Sequence, residues 1–174
     1  MMPKNNFPVP DFQGAADKLL KEIPPNIAEM AKGFFKGSFF KEGFTDYGFI
    51  AWPRRKDEEA HKILTKSHAL RDSIRIASAT SQRIEIEAGR GLPYAEIHNT
   101  GGTIKITVTP KARRFFWYMF KKTGASKWKY MALTKKSQFR IYIPQRQYIG
   151  ESQTLLKNID SYIVKQIIQN FKNA

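Results

Sequence analysis

Cysteine is absent from the 174 residues, which excludes disulfides, zinc–thiolate centres and cysteine nucleophiles together. Stability must come from packing, within the chain or between subunits. Long apolar runs are lacking too. Nowhere do about 18 consecutive apolar residues occur, and Met1-Met2-Pro3-Lys4-Asn5-Asn6 carries no run like that of a secretion signal. The expectation is a soluble chain that starts out in the cytoplasm and has no membrane partner. The third absence is local: residues 97–150 hold 12 basic side chains and no acidic one, whereas residues 1–96 hold 15 basic and 13 acidic.

A hydrophobic content of 41% and an aromatic content of 13% supply enough apolar surface to offset the conformational entropy lost on folding. The length fits a single domain spanning 1–174. Within it we distinguish an N-terminal arm and helices (1–45), a sheet region with a basic aromatic insertion (46–150) and a C-terminal helix (151–174). The net charge of +15 predicts attraction to nucleic acid, an acidic protein surface or a membrane, and the acid-free stretch is where that field originates.

Along the chain, Phe7-Pro8-Val9-Pro10 reads as an extended arm, because each proline disfavours the α region for the residue before it. Phe12, Ala15, Ala16, Leu19, Leu20 and Ile23 recur at helical spacing, with Asp11 as N-cap and Pro24-Pro25 as the stop. A second helix is expected from Asn26 through Ile27, Met30, Ala31, Phe34 and Phe35 to near Gly43. Phe44 to Asp57 reads as a loop anchored by Trp52. Ser73–Ala79 and Arg83–Ala88 alternate as an antiparallel hairpin, and Pro93 to His98 predicts a short helix ended by Gly101-Gly102.

Thr103 to Thr109 alternates as a strand. Phe115-Phe116-Trp117-Tyr118-Met119-Phe120 suits either a helix opened by Pro110 or a buried strand, and periodicity does not separate the two. Gly124 to Ser137 reads as a basic excursion and Phe139 to Ile143 as a strand. Leu155, Leu156, Ile159, Ile163, Ile167 and Phe171 mark a terminal helix over Ser152–Phe171. The fold class is α+β: N-terminal helices, a mainly antiparallel sheet with a short inserted helix, and a long C-terminal helix packed on the sheet.

Little here reads as catalysis. His61 and His68 are seven residues apart, too far for one ion, despite Asp57, Glu58 and Glu59 near His61. Ser67-His68, being adjacent, lacks the convergence a triad requires. Gly89-Arg90-Gly91 and Gly101-Gly102 match no phosphate-binding glycine loop and read as turns. No cofactor is expected. A basic and aromatic segment, Lys111 to Lys129, has two readings. Its rings can stack bases between phosphate contacts, or Phe115, Phe116, Trp117 and Tyr118 can face a core or another subunit. Arg113, Arg114, Lys121 and Lys122 are then the candidate contacts with an anionic partner.

Three blocks in order resemble a known family. They are Leu64-Thr65-Lys66-Ser67-His68-Ala69-Leu70-Arg71-Asp72-Ser73-Ile74, then Leu92-Pro93-Tyr94-Ala95-Glu96-Ile97-His98-Asn99-Thr100-Gly101-Gly102, then Ile143-Pro144-Gln145-Arg146-Gln147-Tyr148-Ile149-Gly150. Leu70, Ser73 and Ile74 fit a Leu-Arg-x-Ser-Ile pattern. Pro93, Tyr94, Ala95, His98, Gly101 and Gly102 fit Pro-Tyr-Ala-x-x-His-x-x-Gly-Gly. Pro144, Arg146 and Gly150 keep part of Pro-Ala-Arg-Pro-Phe-Leu-Gly, with Gln145 and Gln147 departing from it. The blocks resemble the phage virion morphogenesis, or tail-completion, family over roughly residues 50–172.

That resemblance implies a non-enzymatic structural subunit of a tailed phage, located at the virion neck or tail terminus and assembled in the host cytoplasm, which helps join tail to head. It also implies other neck or tail proteins as partners and a homo-oligomeric ring, commonly hexameric. The acid-free segment would then face packaged DNA, as a nonspecific contact, or an acidic partner ring. In the middle block Tyr94 and Ile97 are expected to bury, and His98 to be a satisfied hydrogen-bonding residue. The alternative is a basic nucleic-acid-binding module using residues 111–129, and an enzyme pairing His98 with Glu96 is a third reading.

Overall fold

A computed structural model describes residues 11–55 and 61–172. The Phe7–Pro10 arm and the Asp57–Glu59 acidic cluster lie outside them. The chain divides into two compact units, unit 1 formed by residues 1–100 with 146–174 and unit 2 by residues 101–145.

Unit 1 begins with α1, Phe12–Lys41, capped by the Asp11 carboxylate accepting from Gly14 N–H at 2.9 Å. Pro24-Pro25 was the expected stop, yet both prolines lie inside this single 30-residue helix. The apolar stripe explains the difference. Leu19, Pro24, Ile27, Ala28, Ala31, Phe35 and Phe39 are all buried, and that continuous face outweighs a cost of about 3 kcal/mol per interior proline. The two carbonyls deprived of donors, those of Leu20 and Lys21, belong to solvent-exposed residues. Glu42 ends the helix at φ 53°; its carboxylate accepts from Ile63 N–H at 2.6 Å, which fixes a backbone conformation unusual for a side-chain-bearing residue.

The predicted loop after α1 contains a short hairpin, β1 (Gly43–Thr45) paired antiparallel with β2 (Phe49–Ala51). No periodicity announces it, because Phe49, Ile50 and Ala51 are all exposed. Trp52 follows and is buried, as the anchoring role required. A single helical turn, α2 (Ala69–Asp72), leads to β3 (Arg75–Ala79) and β4 (Ile84–Glu87), the expected antiparallel hairpin, which carries a register irregularity between Ile76 and Ser78. The short inserted helix is α3, Ala95–Thr100.

Unit 2 holds β5 (Gly102–Thr107), α4 (Pro110–Thr123), α5 (Ser126–Leu133) and β6 (Gln138–Ile143), with β5 and β6 paired antiparallel over their full lengths. The helical alternative for residues 110–123 is the one realised. Thr109 caps it by accepting from Ala112 N–H at 3.1 Å, Pro110 occupies its first turn, and Gly124 closes it at φ 68°. The basic excursion folds in part as α5, which the sequence concealed because that helix is held by contacts from α4. Arg113 donates to the carbonyls of Ala132 and Thr134, both at 2.7 Å, capping the C-terminal end of α5.

Back in unit 1, α6 spans Gln153–Lys172. Ser152 caps it by accepting from Leu155 N–H at 3.1 Å while donating to Thr45 O at 2.8 Å. The turn of the β1–β2 hairpin holds the same end, with the Asp46 carboxylate accepting from Gln153 N–H at 2.8 Å. α6 runs chiefly along α1, and α1 is the helix that packs broadly on β3 and β4. The described residues are 52% helical and 17% strand, so the α+β class holds. Antiparallel pairing among the described residues is divided among three two-stranded ladders.

Candidate functional site

The three sequence blocks meet in unit 1. Leu70 and Ile74 are both buried in the main core with Phe39, Trp52, Ala95 and Tyr148. Ser73 Oγ donates to Leu70 O at 2.6 Å and accepts from Gly89 N–H at 2.8 Å, tying the first block to the end of β4. Gly89 sits at φ 77°, where a Cβ would collide with that of Ala95, so only glycine fits beneath α3.

The second and third blocks lock together around Tyr148. Its hydroxyl donates to Ala95 O at 3.1 Å, and Asn99 Oδ1 accepts from the backbone N–H groups of Tyr148 at 2.9 Å and Ile149 at 3.2 Å. Arg146 N–H donates to His98 O at 2.7 Å. The Arg146 guanidinium donates to Pro53 O at 3.0 and 3.2 Å, and Trp52 Nε1 donates to Gln147 O at 2.7 Å. The Phe39 ring lies 5.5 Å from Trp52 edge-on and 5.3 Å from Tyr148. Burial raises the Tyr148 hydroxyl above the usual phenol range, with Tyr94 adding to the effect. It therefore stays protonated as the donor this network needs.

Two expectations for the middle block change. Tyr94 is exposed, while the neighbouring Ala95 is the buried residue: α3 turns Ala95 toward Gly89 and Tyr148. His98 is incompletely satisfied, since its buried Nδ1 has no hydrogen-bond partner among the described residues. Burial, followed by the nearby charge of Arg146, holds His98 below the ordinary imidazole range, favouring the neutral ring. Pairing with Glu96 is not available, because residues two apart on a helix face different sides. His68 is exposed at the start of α2, and His61 Nδ1 lies 2.8 Å from an Arg55 guanidinium nitrogen. Pro93 precedes α3 in an exposed turn and Pro144 is half-buried. Gly150 sits at φ 147°, where a Cβ would come within 2.7 Å of the Gln147 side-chain amide.

Gly101 and Gln145 close the two ends of unit 2. At Gly101, φ 71° and a Cβ position 2.8 Å from Gln145 N leave no room for a side chain, and Gly102 then opens β5 opposite Ile143. Of the four aromatic candidates, Phe116 is buried at 6% exposure, stacked 6.1 Å from Trp128 and edge-on to Phe139. Phe115, Trp117 and Tyr118 are exposed. Arg113 is engaged in capping α5, which leaves Arg114, Lys121 and Lys122 as the exposed cations among the four proposed.

Sequence reasoning did not single out Tyr148 and Asn99, the two residues that join the blocks. A signal existed for Tyr148, which stands where the resemblance puts phenylalanine in the third block. Asn99 gave none, since a half-buried amide that accepts from two backbone donors reads in the sequence like any other polar helix residue.

Comparison with known proteins gives no match among curated proteins or solved structures. The profile of the phage virion morphogenesis family, however, matches residues 48–167, a span that contains all three blocks and the whole of unit 2. By that match over more than half its length, the chain belongs to the phage virion morphogenesis family.

Proposed function

We propose that this chain is a non-enzymatic subunit of the neck or tail terminus of a tailed phage, completing the tail or joining it to the head as a homo-oligomeric ring. Family membership supports a structural role in virion morphogenesis. Two motif side chains support it as well: Ser73 and Arg146 engage their polar groups in backbone hydrogen bonds within unit 1.

The observation that carries the assembly reading is the end of the α1–α6 pair where Phe12 meets Phe171. Phe12, Leu20, Val164, Ile167, Ile168 and Phe171 are all exposed there, beside an apolar groove of about 550 Å³ lined by both helices and the turn between β3 and β4. Charges on these helix segments balance, with Asp11, Asp17, Glu22 and Asp160 against Lys18, Lys21, Lys165 and Lys172. A second copy of the chain can therefore cover this face without like-charge repulsion, burying apolar area that a soluble monomer would leave in water. Exposed Phe115, Trp117 and Tyr118, flanked by Arg114, Lys121 and Lys122, are the proposed contacts with other neck or tail proteins.

The test is electron microscopy of lysates from a phage lacking the gene. Full heads accompanied by separate tails are the expected result. Normal infectious particles would remove the tail-completion role.

A further inference from the structure

The β5–β6 ribbon has two unlike faces. Its register places Ile104 opposite Ile141 and Ile106 opposite Phe139 on one side, and Thr103 opposite Tyr142, Lys105 opposite Arg140 and Thr107 opposite Gln138 on the other. Phe139 meets Phe116 of α4, while Ile104, Ile106 and Ile141 on the same side stay partly open at 38–39% exposure. All six residues of the polar side are exposed. They include a like-charge pair placed directly across the ladder, an arrangement that is unfavourable in isolation. Unit 2 contains 11 Lys and Arg residues and no Asp or Glu, so no carboxylate within it can neutralise Lys105 and Arg140.

We infer that this polar face of the β5–β6 ribbon is a contact surface for duplex DNA. Three observations favour DNA over an acidic protein. Eight of the 11 cations in unit 2 are lysines, a residue depleted at protein interfaces but well suited to phosphates. The complete absence of acidic residues matches a continuous polyanion, whereas a protein surface of mixed sign would be matched by mixed charges. A two-stranded ribbon also has the width to enter the major groove, where Arg, Lys, Gln and Thr side chains reach phosphates and base edges. The surface is made of residues other than the α4 cations that the sequence brought forward, and it does not depend on the neck assignment: purified protein suffices to test it.

The experiment measures affinity of the full chain for a fluorescein-labelled duplex of about 30 base pairs as a function of salt, a length that spans several helical turns. Lys105→Ala/Arg140→Ala is compared with Lys36→Ala/Lys41→Ala, which removes the same charge from the C-terminal part of α1. The ribbon variant is expected to bind about tenfold more weakly and to lower the slope of log affinity against log salt by about 1.8, the value for two phosphate contacts. The α1 variant should change affinity less than about twofold. Arg140→Glu is the companion variant. It replaces repulsion with attraction opposite Lys105, so it should melt no lower than the parent while losing at least as much affinity. Equal losses from the ribbon and α1 pairs, or an unchanged slope in the ribbon variant, would overturn the proposal. So would displacement of the duplex by polyglutamate as effectively as by unlabelled DNA at equal charge concentration, which would point to an acidic protein.

Discussion

The core of unit 1 closes on Phe39, Ile74 and Tyr148, each 2% exposed or less, whereas in unit 2 only Phe116 and Ala132 are buried. Charge divides them as well. Unit 2 carries 11 cations without an anion, and the rest of the chain carries 19 cations with 15 anions. Unit 1 has a closed hydrogen-bond network in which the family motifs hold one another, and its exposed apolar end is electrically balanced. Unit 2 has a small aromatic core and a surface that repels its own copies. The contrast fits the proposed division of work, in which unit 1 provides the framework and the face through which copies associate, and unit 2 meets an anion.

The largest expected effect tests the framework. Tyr148→Ala removes a buried ring and its hydroxyl bond, and should destabilise unit 1 by about 3–5 kcal/mol in denaturant unfolding. Tyr148→Phe takes away only the donor to Ala95 O and should cost about 1–3 kcal/mol; a cost near zero would mean that packing alone holds the third block. Phe116→Ala should cost about 3 kcal/mol, and hydrogen exchange should show protection lost within residues 101–145 and kept elsewhere. Loss of protection throughout the chain would make the two units one cooperative block and break the comparison.

Gly89→Ala forces a side chain into a left-handed backbone position against Ala95, for about 1–3 kcal/mol, read as a lowered melting temperature. Leu20→Asp/Ile168→Asp acts on the surface instead. Sedimentation should shift to a smaller species with stability changed by about 0.5 kcal/mol or less, and an unchanged species would move self-association away from the α1–α6 end.

The smallest effect is the pH dependence contributed by His98. Its folded-state pKa lies below the ordinary value of 6.5, so the unfolded chain binds the proton more readily. Stability from this group is present above that ordinary value and is lost as pH falls through the lower folded value. His98→Phe should flatten that part of the stability profile below pH 6.5, and a profile identical to the parent's would show that the ring titrates freely.

Several elements were readable before the fold because local chemistry and tertiary role coincide in them. The α6 stripe, the β3–β4 alternation and the Thr109-Pro110 start of α4 carry their own period or cap. The order of the three motif blocks was also enough to indicate the family. The misreadings share one cause: at each of them a long-range contact decided the outcome. Pro24-Pro25 is a local stop signal, overruled by a buried face extending on both sides. The β1–β2 hairpin exposes the apolar residues of β2 and is clamped through Asp46 and Ser152 to an α6 terminus a hundred residues away. The helix α5 depends on Arg113 for its C-terminal cap.

By itself, then, the sequence determined the fold class, the family and the presence of an acid-free basic segment, since each follows from residue order, period or composition. Only the tertiary structure decided that Tyr148 and Asn99 knit the motif blocks together. It also decided that Arg113 and Phe116 are internal to unit 2, and that Lys105 and Arg140, 35 residues apart, stand side by side on one exposed face. Such juxtapositions depend on strand register and side-chain direction across long loops, which neighbouring residues in the chain do not encode.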